Sequence, residues 1–180
     1  MKLGVMCSGN GTNFENILRT CNKDEVVLMI TNKRDCGAVK RARKFGIPHA
    51  YGLDENWIIN EFKWAGVDLI VLAGYMKIIS PKFVESFPNR IINIHPSLLP
   101  KYKGLHAIEQ ALESGDDVTG VTVHYVNNEL DGGEIILQRE VPILPDDDIV
   151  SLTKSIQRLE YSILPEAIKY VKQRVSTKVC

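Results

Sequence analysis

The stretch Lys2–Arg19, KLGVMCSGNGTNFENILR, decides the fold class of this 180-residue chain. Its apolar start, Lys2–Cys7, predicts a buried β-strand. Two glycines then fall within Ser8–Asn13, and Asn13–Arg19 repeats apolar residues at helical spacing. A strand that passes through a glycine turn into a helix is the opening of a βαβ unit, so this stretch predicts a parallel sheet.

The rest of the first half repeats this alternation. The predicted helices are Ala38–Lys44 and Asn56–Ala65. The predicted strands are Val26–Ile30, Pro48–Tyr51, Leu69–Ala73 and Arg90–Ile94. Strands that alternate with helices favour a mostly parallel sheet covered on both faces, with right-handed crossovers. We therefore expect a Rossmann-like, doubly wound α/β fold.

The second half of the chain changes character. Gly120–Val126 and Glu134–Val141 are β-rich and predict an antiparallel strand pair. Their connection, Asn127–Gly133, is longer than a tight hairpin needs, and loops of this kind are often functional.

The last helical pattern covers Asp148–Arg174. Asp147 or Asp148 is the expected N-cap, and Pro165 predicts a kink or a break. The sequence shows neither a repeat nor a low-complexity linker, so a single domain over residues 1–180 is expected.

Composition gives no support for nucleic acid or a membrane as a partner. Basic and acidic residues number 22 each, so net charge gives no argument for nucleic acid or membrane binding. No apolar run approaches the ~20 residues of a membrane span, and the N-terminus does not resemble a signal peptide. The four cysteines are scattered without a CxxC pair, which indicates free thiols in a reducing cytoplasm: Cys7, Cys21, Cys36 and Cys180.

The glycine turn Ser8–Asn13 has two interpretations. Glycines let the backbone approach a ligand, and the helix that follows offers free N–H donors, so the turn is suited to a phosphate. Phe14 replaces the third glycine of a dinucleotide motif, and Asn32–Arg34 follows the second strand where an acidic residue would be needed, so a monophosphate is favoured. The alternative is a plain strand–helix turn capped by Thr12 or Asn13.

Asn93 and His95 follow an apolar run and precede Pro96. Residues two apart on a strand share a face, roughly 6–7 Å apart at Cα, and Pro96 should end the strand. The carboxyl edge of a parallel sheet binds ligands. An amide there can hold an oxyanion, and an imidazole can move a proton. The alternative is a hydrogen-bonded polar pair at a strand end.

Asp131 lies in the long connection, before two glycines that would let a tight loop aim its carboxylate. Near His95 it would make an acid–base pair; the alternative is an exposed acidic turn. His49, His106 and His124 lack the spacing of a zinc motif, so no metal is expected. No obvious nucleophile for covalent catalysis is present.

Four segments together resemble one family. They are SGNGTNFENIL, LAGYMKIIS, INIHPSLLPKYKGLHA and VTVHYVNNELDGGEIILQREVPI, in this order. They resemble the phosphoribosylglycinamide formyltransferase family, folate-dependent enzymes of purine synthesis. The resemblance covers most of the chain and implies a cytoplasmic enzyme.

The resemblance implies a role for each matching residue. By it, Asn93, His95 and Asp131 are the catalytic trio, and Gly11, Thr12 and Asn13 bind the substrate phosphate. The implied folate-binding residues are Met76, Lys77, Ile78, Ile79, Asn93, Val126, Asn128 and Asp131. The residues implied to hold the substrate ribose or amine region are Glu160 and Gln157.

The implied reaction transfers the formyl group of 10-formyltetrahydrofolate to the amine of glycinamide ribonucleotide, without a metal. The implied partners are these small molecules, and the chain is expected to be a monomer or homodimer. One alternative is a 10-formyltetrahydrofolate deformylase or another formyltransferase of the same fold. A second is a nucleotide-binding module without catalysis.

The chain departs from the family at several positions. Tyr161 and Leu164 stand where the family usually has a histidine and a tyrosine. No arginine lies between Arg43 and Arg90, although the family has a folate-contacting arginine in the region of residues 54–66. Lys77 replaces a common arginine.

Overall fold

A computed structural model describes residues 1–177 of the chain, which form two compact units, 1–93 and 94 onward. The first unit holds four helices: α1 (Thr12–Thr20), α2 (Gly37–Phe45), α3 (Glu55–Trp64) and α4 (Pro81–Ser86). A 3₁₀ turn covers Lys23–Glu25. Its strands are β1 (Leu3–Cys7), β2 (Val26–Thr31), β3 (His49–Tyr51), β4 (Leu69–Leu72) and the start of β5 (Ile91–His95).

The strands of the first unit are all parallel, in the order β3-β2-β1-β4-β5. In the central register Val5 pairs with Met29 on one side and Val71 on the other. Every residue of β1 is buried. Strands covered on both faces lose the alternation of apolar and polar residues, which is why β1 and β4 are continuous apolar runs.

The second unit begins within β5 and holds α5 (Ala107–Ser114), β6 (Val118–Tyr125), β7 (Ile135–Pro142) and α6 (Ile149–Thr177). β6 and β7 pair antiparallel, and α6 packs against both strands. β6 is buried along most of its length, whereas β7 alternates between more and less exposed residues.

The predicted fold class is confirmed: a mostly parallel sheet, an antiparallel strand pair near the C-terminus and a C-terminal helix. All predicted strands and helices are present, with ends shifted by a few residues. α4 and α5 were not predicted, although Ser80 accepts a hydrogen bond from the Phe83 N–H and Pro81 is the first helical residue, an ordinary helix start.

The C-terminal helix α6 begins at Ile149, and Asp148, one of the two expected N-cap residues, precedes it. The Asp148 carboxylate accepts a hydrogen bond from the Ser151 N–H at 2.8 Å, and the Ser151 hydroxyl accepts one from the Asp148 N–H at 3.0 Å. This reciprocal arrangement is a capping box. The helix continues through Pro165 without the break that was one of the two predictions. Within residues 1–177, no helix is long and apolar enough to cross a membrane.

Candidate active site

Strand β5 places Asn93 and His95 on one face, because they are two residues apart. Asn93 is half-buried, and His95 is 5% exposed. The strand ends at His95, immediately before Pro96, as predicted.

The His95 ring has a defined arrangement of protons. Its Nε2 atom lies 2.8 Å from the carbonyl oxygen of Tyr102. Since a carbonyl oxygen can only accept, Nε2 donates and carries a proton. Nδ1 is therefore the nitrogen that can gain and lose a proton, and it lies 3.6 Å from Oδ2 of Asp131.

Asp131 is held from three sides. Besides His95, its Oδ2 accepts a hydrogen bond from the Gly104 N–H at 2.8 Å, and its Oδ1 lies 3.6 Å from Nε2 of His124. Its backbone has φ 47°, a left-handed conformation that is uncommon outside glycine. Such backbone geometry often occurs at functional sites.

These neighbours set the charge of Asp131. Burial by itself raises the pKa of the carboxyl, because an ionised group loses hydration. The hydrogen bonds from His124 and the Gly104 N–H, with the nearby imidazoles of His95 and His124, outweigh this, so the net pKa lies below its ordinary value. Asp131 is thus ionised near neutral pH and can stabilise a positive charge on His95.

His124 is the residue that the sequence analysis missed, since it was considered there only as a possible metal ligand. It is buried on β6, and its Nδ1 lies 2.8 Å from the Tyr125 carbonyl oxygen, so Nδ1 donates and carries a proton. Its Nε2 faces Asp131 and attracts the carboxylate when it is also protonated. The sequence signal was its position on a strand that leads directly into the loop of Asp131.

Gly133 permits the fold of this loop. A Cβ atom on Gly133 would lie 1.7 Å from the Tyr125 carbonyl oxygen, closer than any real contact. Only glycine therefore lets the chain pass this close to Tyr125. The same Tyr125 carbonyl group also orients the His124 ring. Two predicted folate-binding residues lie in this segment: Val126, half-buried, and Asn128, exposed.

The predicted phosphate turn has the backbone of a helix start. Gly11 is the N-cap of α1 with φ 70°, and a Cβ there would lie 2.7 Å from Cα of Ala38. A glycine has no side chain to cap the helix, and Thr12 and Asn13 occupy its first two positions. The positive end of the helix dipole is thus directed at this turn.

Ser8 joins this turn to the predicted folate segment Met76–Ile79. Its hydroxyl donates to Oδ1 of Asn32 at 2.7 Å and accepts from the Met76 N–H at 2.8 Å. Ser8 is fully buried, whereas Met76 and Ile78 are 67% and 79% exposed. Lys77 is also exposed, and Ile79 is buried. Exposed apolar side chains on a well-anchored segment are typical of a ligand-binding wall.

The remaining predicted site residues lie on α6. Gln157 is exposed and Glu160 is half-buried, one turn apart on the same side of the helix. Tyr161 is half-buried. Leu164 is fully buried, so it belongs to the core of this unit.

Within residues 1–177 no cluster of three or more histidine, cysteine or acidic side chains could hold a metal ion. Among the described residues Cys7, Cys21 and Cys36 form no disulfide bond, and burial raises the pKa of the Cys7 thiol. Cys180 lies outside the described residues.

The family profile described as formyl transferase matches residues 1–168. The phosphoribosylglycinamide formyltransferase of Haemophilus influenzae is 43% identical over 94% of this chain and 86% of its own length. The Escherichia coli protein of that name is 41% identical over the same shares. The crystal structure of the Anaplasma phagocytophilum protein of that name has a TM-score of 0.94 and 38% identity, covering 97% of this chain and 88% of its own. That from Streptococcus pneumoniae has a TM-score of 0.90 and 34% identity, covering 94% and 98%.

Proposed function

The chain belongs to the formyl transferase family, and from this premise we propose that it transfers the formyl group of 10-formyltetrahydrofolate to the amine of glycinamide ribonucleotide. The products are formylglycinamide ribonucleotide and tetrahydrofolate, a step in purine synthesis. The observation that carries the proposal is the approach of His95 Nδ1 to within 3.6 Å of the Asp131 carboxylate, at the end of the strand that presents Asn93.

Formyl transfer requires groups that stabilise a negative oxygen and move one proton. The substrate amine attacks the formyl carbon, and its oxygen becomes an oxyanion. The Asn93 amide and the protonated His95 Nδ1 donate hydrogen bonds to this oxygen. Asp131 stabilises the imidazolium, because the pKa of its carboxyl is lowered and it remains ionised.

The tetrahedral adduct then breaks the bond between the formyl carbon and N10 of the folate. One proton leaves the attacking amine and one reaches N10, so the reaction is balanced without an added reductant or oxidant. His95 and Asp131, directly or through a water molecule, carry this proton transfer. No metal takes part in the proposed chemistry.

The two substrates are assigned to separate residues. Gly11, Thr12 and Asn13 bind the nucleotide phosphate, in accord with the glycine N-cap of α1. Gln157 and Glu160 contact the ribose or amine region. Residues 76–79 and 126–131, including Lys77, Ile79, Val126 and Asn128, contact the folate, for which Met76 and Ile78 offer exposed apolar surface. The enzyme is proposed to act in the cytoplasm, as a monomer or homodimer.

A two-substrate assay tests this function. Tetrahydrofolate formation is followed by absorbance with 10-formyltetrahydrofolate present, with and without glycinamide ribonucleotide, and formate is measured in parallel. We expect turnover that depends on the amine substrate and little formate. Formate release without the amine would overturn the proposal in favour of a deformylase. Binding of nucleotide without turnover or folate binding would identify a nucleotide-binding module.

A further inference from the structure

The carbonyl group of Tyr102 determines which nitrogen of His95 is available for chemistry. It accepts a hydrogen bond from Nε2 at 2.8 Å, which leaves Nδ1 toward Asp131. Tyr102 has φ 55°, a left-handed conformation that is unfavourable for a residue with a side chain. Another contact must therefore stabilise this peptide orientation.

Asp116, in the connection between α5 and β6, supplies that contact. Its Oδ2 accepts a hydrogen bond from the Tyr102 hydroxyl at 2.6 Å and lies 2.7 Å from Nζ of Lys101. Both neighbours lower the pKa of Asp116, so the carboxylate is charged near neutral pH. A hydroxyl bound to a carboxylate is a strong, charge-assisted hydrogen bond.

The segment that carries Tyr102 is tied down on both sides. Before it, the Ser97 hydroxyl donates to the Lys101 carbonyl at 2.6 Å. After it, the Gly104 N–H donates to Asp131 at 2.8 Å. Tyr102 thus links the Asp116 carboxylate, through its hydroxyl, to the His95 ring, through its carbonyl group.

We propose that Asp116 is a positioning residue for the reaction: through the Tyr102 hydroxyl it holds the Tyr102 carbonyl on Nε2 of His95 and so keeps Nδ1 as the working nitrogen. The predicted effect on turnover rests on the proposed function, whereas the predicted position of the proton on the His95 ring does not. The charged group that faces His95 is the Asp131 carboxylate, whose other oxygen lies beside His124.

Loss of the anchor has a definite consequence. Without the hydroxyl contact, the left-handed peptide relaxes and its carbonyl turns away from Nε2. The neutral imidazole then places its proton on Nδ1, next to Asp131, and can no longer accept a proton there. The substrate-binding residues are unchanged, so turnover falls while KM does not.

Two substitutions break the anchor at its two ends. Tyr102→Phe removes only the hydroxyl, whereas Asp116→Ala removes its acceptor and also the partner of Lys101. Each should lower kcat roughly tenfold with KM for both substrates unchanged, and the double variant should lose no more than either single variant, because one contact is lost in all three. Asp116→Asn retains an acceptor oxygen and should restore most of the activity.

Lys101→Met is the matched control. It removes the second partner of Asp116 while leaving the tyrosine contact intact, and the Lys101 side chain is 58% exposed. Exposed ion pairs contribute little, so kcat should stay near that of the wild type. A loss in Lys101→Met equal to that in Tyr102→Phe would overturn the role of the hydroxyl.

Nitrogen NMR of the His95 ring gives a readout independent of activity. In wild-type protein with ¹⁵N-labelled histidine, Nε2 should be protonated at neutral to alkaline pH, and Tyr102→Phe and Asp116→Ala should shift the proton toward Nδ1. Folding is checked by circular dichroism; if Asp116→Ala is unfolded, Tyr102→Phe carries the test. Unchanged ring shifts in a folded variant would overturn the inference. A shifted ring in a protein that transfers no formyl group would support the positioning role and refute the function.

Discussion

Nδ1 of His95 lies 3.6 Å from Oδ2 of Asp131, and Nε2 of His124 lies 3.6 Å from the other oxygen of the same carboxylate. One carboxylate therefore lies between two imidazoles, each oriented by a backbone carbonyl through its other nitrogen. This arrangement fixes the carboxylate and both rings before any substrate binds, and preorganised charge is the largest contribution to many enzymatic reactions.

Removal of either member of the proposed acid–base pair should abolish most turnover. We expect His95→Ala and Asp131→Ala to lower kcat by ~10²–10⁴-fold, because general acid–base catalysis is lost. The loss should exceed any loss of folded protein, as measured by steady-state kinetics and thermal unfolding. His106→Asn is the matched control: His106 is an exposed histidine with φ 60°, which asparagine tolerates. Near wild-type turnover in a folded His95→Ala variant would refute the assignment.

Asn93 is expected to act on the oxyanion alone. Asn93→Ala should lower kcat by ~10²–10³-fold, the usual cost of one oxyanion donor, with a much smaller change in KM. Pre-steady-state measurement of formyl transfer checks that the chemical step is slowed. An effect confined to KM would instead assign Asn93 to ground-state binding.

Asp131 should make folding stability depend on pH. Its pKa in the folded protein lies below the ordinary 3.8, so its contribution is complete above that value and is lost as the pH falls through the folded pKa. Asp131→Asn should therefore be less stable than wild type near neutral pH, and the difference should shrink in acid. Urea unfolding of both proteins across this range measures the effect. A difference independent of pH would show that the carboxylate charge is not responsible.

Gly133 should not tolerate a side chain. Gly133→Ala forces the loop away from the Tyr125 carbonyl, which should lower the free energy of unfolding by about 1–3 kcal/mol and displace Asp131. Gly9→Ala is the control for chemical denaturation, because a Cβ on Gly9 meets no atom within 4 Å. Equal stability of the two variants would contradict the close approach seen at Gly133.

The exposed apolar residues Met76 and Ile78 offer a test of folate binding without a change in the core. Ile78→Ser should raise the KM for 10-formyltetrahydrofolate and leave the KM for the nucleotide and the melting temperature unchanged, because Ile78 is 79% exposed. Steady-state kinetics with each substrate varied in turn checks this. A parallel rise in both KM values would show that Ile78 does not contact the folate alone.

Much of the fold could be predicted from short-range patterns. Three local features predicted the first elements. The apolar run before Ser8 predicted β1, Gly11 predicted the turn, and the apolar spacing after it predicted α1. α4 and α5 were missed because each is short, with six and eight residues, and too little periodicity accumulates over two turns.

The predicted site was less complete than the predicted fold. Asn93 and His95 are neighbours on one strand, so their common face followed from spacing alone. His124 was missed because its role depends on a contact with Asp131 across a loop, and the sequence carries no spacing rule for such a contact.

The sequence by itself determined the order of the strands and of every helix except α4 and α5, because these elements follow from local patterns. It also determined the end of β5 before Pro96 and the glycines that allow sharp turns, because each depends on the local backbone. Only the tertiary structure decided that Asp131 lies between His95 and His124, and that the Tyr102 carbonyl binds the other side of the His95 ring. These contacts join separate segments, and their geometry depends on left-handed backbone at Tyr102 and Asp131, a conformation that few residues with a side chain adopt.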